Sequence, residues 1–443
     1  MKLVIIGGVA AGMSAAAKYR RLDPSATIHV YEQGTDLSYS GCGMPYHLGG
    51  IVPDEDRLIA RTADDFSKQG IDVFLRHRVT AVDPASHHIT VQNLTTNESF
   101  VTSYDKLLIA TGTVARRTNV PGSDDVHPHV LNQLDDMRHI KSHLADASTI
   151  AIIGGGYIGV EVAENLRHLG KEVHLIEQQD QLLMPYDKAL AVMAKDALER
   201  IGVHVYLSEA LKQYGKTTSN IIVHTDQRDL TVDLVIEAIG VIPATSFLQD
   251  SGIDLAKNGA IRTDAQMRTN QPDIYAAGDC VLYHHRLTNQ EVFIPLGTHA
   301  NKTGRIVAEH IAGQDVSFPG IVGSNIVKVA DLALAKTGLA LKEANQLDRE
   351  IDHVGITAKH TTGYYPGAKP LFVRLVFDKK TGVLLGGQLA GEAGVADRIN
   401  ILALAVTKGL TASEFSQLDF AYAPPFTPVW DPLLVAANQI KLD

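Results

Sequence analysis

Two stretches of this 443-residue chain repeat one pattern of apolar and polar positions. Leu3-Val4-Ile5-Ile6 is an unbroken apolar run that stops at Gly7-Gly8-Val9-Ala10-Ala11-Gly12, after which an Ala-rich stretch from Ala15 to Arg21 reads as helix. Thr149-Ile150-Ala151-Ile152-Ile153 stops in the same way at Gly154-Gly155-Gly156-Tyr157-Ile158-Gly159. Each unit continues to a second apolar run that ends on a carboxylate, Thr27 to Tyr31 before Glu32 and Val173 to Ile176 before Glu177. Short apolar runs bounded by glycine and alternating with helices predict buried strands of an α/β protein. Two later runs fit the same class: Tyr104 to Ala110 stops at Thr111-Gly112, and Ile274-Tyr275-Ala276-Ala277 stops at Gly278-Asp279.

The glycines carry chemistry as well as a turn. Gly154, Gly156 and Gly159 complete a G-x-G-x-x-G, whereas in the first unit Gly7 and Gly12 hold the outer positions and Val9 the middle one. In this arrangement the helix N-terminus receives a pyrophosphate and the carboxylate at the end of the next strand bonds a ribose hydroxyl. A structural turn explains either glycine motif taken singly. The whole strand, glycine, helix and acid context occurring twice points to two bound dinucleotides. Glu177 suits the two hydroxyls of an unphosphorylated ribose and repels a 2'-phosphate, so NADH is expected over NADPH, with NADPH still possible.

Composition excludes several other classes. The chain is 45% hydrophobic and 20% charged, an ordinary globular balance large enough for about three domains. A formal net charge of -10 provides no basic field for nucleic acid or an anionic membrane. No apolar run approaches the roughly 18 residues of a membrane span. The N-terminus reads as a strand and not as a signal peptide, and two cysteines suit a reducing cytoplasm, so the expected location is cytoplasmic. Nineteen histidines invite a metal, but pairs such as His139 with His143 lack a third ligand, and no metal site is expected.

Cys42 lies in Ser40-Gly41-Cys42-Gly43-Met44-Pro45-Tyr46, ten residues past Glu32. The partner position of a Cys-x4-Cys redox pair is His47, so no internal disulfide closes there. Cys280, after Asp279, reads as a small packing residue.

With these motifs in this order, the sequence resembles the flavin-dependent pyridine nucleotide-disulfide oxidoreductases along essentially its whole length. The resemblance implies two Rossmann-like domains, one for FAD and one for NAD, and a C-terminal α+β dimerisation domain. The FAD domain would be split into residues 1–115 and 245–322, the NAD(P)H domain would be 116–244, and the interface domain 323–443. FAD would be held by Gly7, Gly8, Ala11, Gly12, Glu32, Ser40, Thr111, Gly112, Gly278, Asp279 and the turn Leu296-Gly297-Thr298. The nicotinamide dinucleotide would be held by Gly154, Gly156, Tyr157, Ile158, Gly159, Glu161, Glu177 and Gly240.

The single thiol places the chain with members that use a sulfenic acid or a mixed disulfide. The neighbours of Cys42 look most like those of coenzyme A-disulfide reductases, and the resemblance implies a homodimer in which Tyr364 and Tyr422 reach the thiol of the partner chain. A phenol beside a leaving thiolate can donate a proton. Both tyrosines also read as plain interface aromatics. Substrate contacts would come from Tyr39 and from cations for the CoA phosphates: Arg20, Arg21, Arg57, Arg61, and Lys302 and Arg305 near Asn301. Each of these also reads as part of a solvated helix face. The expected chemistry passes a hydride from NADH through FAD to Cys42, whose pKa the flavin and a nearby helix end would depress. Rival readings are an NADH oxidase or peroxidase with a Cys42 sulfenic acid, a polysulfide reductase, and a flavin-based redox sensor. The oxidase branch places a His in the first glycine turn, where this chain has Ala10.

Overall fold

The computed structural model describes residues 1–441, so the last two residues of the expected C-terminal domain lie outside the described residues. Three five-stranded sheets organise the molecule. In the first the order is Ile274–Ala276, Lys106–Ile109, Lys2–Ile6, Thr27–Glu32, Ile71–Leu75, all parallel. In the second it is Val203–Leu207, Glu172–Glu177, Thr149–Ile153, Leu234–Glu237, His129–Val130, again all parallel. The central strands are apolar at nearly every position because helices cover both faces. The third sheet is antiparallel, in the order Asn325–Val329, Leu332–Gly338, Leu384–Gly391, Pro370–Asp378, Ile351–Lys359. Helices Val395–Lys408 and Pro432–Asn438 pack on it, giving an α+β unit.

The first sheet is assembled from distant parts of the chain, since Ile274–Ala276 pairs with Lys106–Ile109. Between them the chain leaves and returns through a two-stranded antiparallel ribbon, Thr113–Ala115 against Val241–Pro243. Two three-stranded antiparallel sheets, within 77–103 and 211–232, are added to the two parallel units. The pattern reading did not assign them.

The segment after Cys42 lies where the three units meet. Met44, Leu48 and Leu58 share one apolar cluster with Val160 and Val162 of the second unit and with Val327, Val329 and Leu334 of the third sheet. Helix Met44–Leu48 packs on helices Tyr157–His168 and Leu134–Leu144. Burial of this segment fixes the thiol loop relative to the second dinucleotide unit.

Candidate active site

The two glycine turns are near copies of each other. A Cβ on Gly12 would stand 1.9 Å from the Gly7 carbonyl oxygen, and one on Gly159 would stand 1.9 Å from that of Gly154. Only glycine lets each helix begin this close to its strand. The acids close the turns alike. Glu32 accepts from the Gly8 and Gly34 amides at 2.7 Å each, and Glu177 accepts from the Gly155 and Gln179 amides at 2.7 Å each. Two donors hold each carboxylate in place and leave lone pairs for hydroxyl groups.

The residues assigned to FAD fit that group. Asp279 Oδ1 and Thr111 Oγ1 are buried without a hydrogen-bond partner, and burial pushes the Asp279 carboxyl up to about 6. Buried polar atoms of this kind normally have a partner, and a bound polar molecule supplies one. Added Cβ atoms on Gly112 and Gly297 would meet open space, and so would those on Gly156 and Gly240 in the second unit. Ala11 and Gly278 are in contact, since a Cβ on Gly278 would lie 2.9 Å from that of Ala11. Leu296 caps the Gly297–Ile311 helix, whose exposed start, Gly297 and Thr298, opens beside the first glycine turn.

Cys42 is exposed, in a short turn that runs directly into helix Met44–Leu48, with Ser40 at its start. The protein atoms packed around its sulfur, with the charges of Glu161 and Asp279, push the thiol up. This departs from the expected depression: the chain's own groups oppose the thiolate, and stabilisation must come from what binds beside it. His47 is buried and turned to other partners, its Nδ1 on the Val52 carbonyl at 2.7 Å and its Nε2 on Lys141 Nζ at 2.5 Å. Cys280 is fully buried, its thiol donating to Ala277 O and Ile109 O. Both cysteines are free.

Tyr364 and Tyr422 come together on the third domain. Their phenols are neighbours, and the interaction with Tyr422 pushes the Tyr364 phenol up. Their loops are tied by Thr361 Oγ1 donating to Pro424 O at 2.5 Å. Tyr364 is 76% exposed and Tyr422 47%, within an exposed apolar face that includes Phe426 and Trp430.

The cations do not form one group. Arg20 is a correction to the sequence reading: the two terminal nitrogens of its guanidinium donate to the carbonyls of Pro24, Ala26 and Gly70 and so staple backbone. Arg21 is exposed at the end of the same helix, and Lys302 and Arg305 are exposed on the neighbouring Gly297–Ile311 helix. Asn301 is held by Ser14, which donates to it at 2.6 Å, and itself donates to Gly297 O. Arg57 is exposed, and Arg61 lies 4.1 Å over the Phe66 ring. Tyr39 bridges to Ile59 and packs on the shared apolar cluster.

Several pairings at the site were not marked by sequence. Tyr46 donates to Glu161 at 3.3 Å, Lys328 of the third sheet pairs with Glu164, and Tyr157 and Tyr186 both donate to Asn325 at 3.0 and 2.7 Å. Only tertiary packing brings these groups together. Among the described residues no cluster of three or more His, Cys, Asp or Glu could hold a metal ion, and no helix is long and apolar enough to cross a membrane.

Comparison with known proteins agrees with this geometry. Residues 1–304 match the family model for pyridine nucleotide-disulphide oxidoreductase, and residues 324–432 match that family's dimerisation domain. The coenzyme A disulfide reductase of Staphylococcus aureus strain Mu3 is 33% identical over 432 residues, 96% of each chain. Reduced Bacillus anthracis CoADR-RHD superposes with a TM-score of 0.96 at 32% identity, over 99% of this chain and 79% of that one. The water-forming NADH oxidase from Lactobacillus brevis bound to NADH gives 0.95 at 30% identity, over 99% and 97%. The chain therefore belongs to the pyridine nucleotide-disulphide oxidoreductase family and is an FAD-dependent NAD(P)H oxidoreductase with a single redox cysteine.

Proposed function

We propose that the protein reduces coenzyme A disulfide, or a closely related small disulfide, through a mixed disulfide on Cys42, working as a homodimer in the cytoplasm. The observation that carries this reading is a lone accessible thiol between two dinucleotide cradles, with no second cysteine to pair with it: Cys280 is buried elsewhere and the adjacent His47 is bonded away. Such a thiol turns over by taking its partner sulfur from the substrate. The two free thiols support a reducing compartment. We take 1–115 with 245–322, 116–244 and 323–443 as working domain limits.

FAD, when bound, relays two electrons from nicotinamide to sulfur. Glu32 and the Gly7 to Gly12 turn would hold one end of it, and Asp279 and Thr111 would meet its polar atoms with their otherwise unpartnered oxygens. Glu177 would hold the ribose of NADH, with Gly154 and Gly159 letting strand and helix meet closely and Gly156 and Gly240 leaving open space for the dinucleotide beside the backbone. Cys42 attacks one sulfur of the disulfide and releases the first thiolate. Tyr422, with Tyr364 beside it, donates to that leaving sulfur from the partner subunit. Arg21 and Arg305, as guanidinium forks, and Lys302, as a point charge, are the exposed cations on the two neighbouring helices that would meet the phosphate groups.

Intact mass of the purified, oxidised protein tests the reading. One added CoA on Cys42 is expected; one added oxygen would replace the reading with sulfenic acid chemistry of the oxidase kind. Cys42→Ser is expected to keep FAD and NADH-driven flavin reduction while losing disulfide reduction by at least about 100-fold. Reduction of coenzyme A disulfide by that variant at the wild-type rate would remove Cys42 from the reaction.

A further inference from the structure

Glu161 stands on the Tyr157–His168 helix of the second dinucleotide unit, yet its carboxyl faces the thiol segment. Its Oε1 accepts from the Tyr46 hydroxyl at 3.3 Å, and Tyr46 is four residues past Cys42. Among the described residues no other hydrogen bond to that carboxyl is found, so a half-buried acid stands against the thiol segment with one neutral donor, close enough for its charge to act on the Cys42 thiol. The charged groups around it come from three elements. Glu164 is on its own helix, already paired with Lys328 and accepting from the Ala330 amide. Lys328 reaches over from the third sheet, and Cys42 lies on the thiol loop, with Asp279 facing that sulfur from the flavin side. Burial pushes Glu161 up to about 7, the repulsion of Glu164 adds to this, and the Tyr46 hydrogen bond and Lys328 act against it.

Two negative charges, one on Glu161 and one on Cys42, repel each other in a partly desolvated site, so loss of a proton by either one strengthens the other's hold on its own. We propose that Glu161, held by Tyr46, is a positioning residue of the thiol site that takes up a proton as Cys42 becomes a thiolate and releases it as Cys42 re-forms a bond to sulfur. The balance is closed by the reaction itself. Two electrons, delivered by NADH as a hydride, break the Cys42 mixed disulfide into two thiolates, and the hydride's proton with one from solvent matches those two charges. Glu161 holds one of these protons at the site, so the thiolate forms beside a neutral carboxylic acid. The proposal rests on Cys42 being the redox thiol.

The test reads the thiol directly. The FAD-loaded protein is reduced with dithiothreitol, desalted, and alkylated with iodoacetamide between pH 6 and 10, with the modified residue identified by mass. Because Glu161→Gln removes a charge that opposes the thiolate, it is expected to lower the apparent pKa of Cys42 and to raise the alkylation rate at pH 8 roughly three- to tenfold. Tyr46→Phe is expected to shift the profile in the same direction by less, since losing the donated hydrogen bond favours the neutral acid. Glu161→Asp is expected to return the profile toward that of the wild type. Unchanged profiles in Glu161→Gln and Tyr46→Phe, with Cys42 still the residue alkylated, would overturn the coupling and leave the redox role of Cys42 standing. A Cys42→Ser enzyme that still reduces disulfides at the wild-type rate would instead overturn the reading on which it rests.

Discussion

Asp279 carries an opposition between folding and binding in one side chain. Its carboxyl is buried with one oxygen unpartnered, and burial alone moves it from 3.8 to about 6. A raised folded-state pKa means that the native protein binds the proton more tightly, so the associated stability is present below the unfolded value and is lost as pH rises through about 6. Asp279→Asn is therefore expected to stabilise the FAD-free protein at pH 8, by up to about 3 kcal/mol for a shift of about two units, and to change little near pH 4. Thermal unfolding at the two pH values checks this, and FAD retention by the same variant is expected to fall. Glu177 is the matching case in the second unit. It is fixed by the Gly155 and Gln179 amides, and if it meets the ribose as proposed, Glu177→Arg is expected to raise the kcat/KM ratio of NADPH to NADH at least about tenfold. An unchanged ratio would mean that the side chain does not meet the ribose. Glu32, Glu177 and Cys42 were readable in the sequence because strand, turn and helix fix their spacing through the backbone. Glu161 was read only as a contact of the nicotinamide dinucleotide, and neither its meeting with Tyr46 nor the approach of Lys328 was legible, because both depend on how three domains pack. Arg20 was read as a phosphate contact for a related reason, since one of its carbonyl partners, that of Gly70, comes from fifty residues away.

Packing of the Ala10–Leu22 and Gly297–Ile311 helices sets the shape of the first cradle. They approach most closely at Gly304, where a Cβ would lie 2.2 Å from the Ala11 carbonyl oxygen, and Lys18 with Glu309 closes the far end at 2.7 Å. A side chain at Gly304 must push the helices apart. Gly304→Leu is expected to cost about 1–3 kcal/mol and to lower the FAD-to-protein ratio, while leaving NADH affinity at the second cradle unchanged. The flavin absorbance of the purified protein and its thermal midpoint measure both effects. Six parallel strands were legible because they are short, mostly apolar and run out at a glycine turn or an acid, whereas Ile71–Leu75, Val203–Leu207, Leu234–Glu237 and His129–Val130 stand outside that repeated pattern and were not assigned. The small antiparallel sheets within 77–103 and 211–232 were not legible either. Their strands mix buried and exposed positions irregularly, and a bulge in each breaks the alternation that would have marked them.

At the level of the whole molecule, the tyrosine pair stands on the exposed apolar face of the dimerisation domain, together with Phe426, Val429 and Trp430. If that face meets a second chain, each thiol is served by the other subunit's phenols. Mixing Cys42→Ser with a Tyr364→Phe, Tyr422→Phe double variant is then expected to restore activity, up to about a quarter of the wild-type level at full random exchange of equal amounts, since half the dimers would carry one intact site. Activity no higher than that of the unmixed parents, with exchange verified, would place the tyrosines within their own subunit or outside the reaction. The linker ribbon bears on how such a chain comes to be made. Because Ile274–Ala276 completes a sheet begun at Lys2–Ile6, a nascent chain emerging from the ribosome cannot finish its first domain until its second has been synthesised. The second domain is contiguous and free to collapse early, so the order of folding runs opposite to the order of synthesis, with the N-terminal strands waiting for a distant edge.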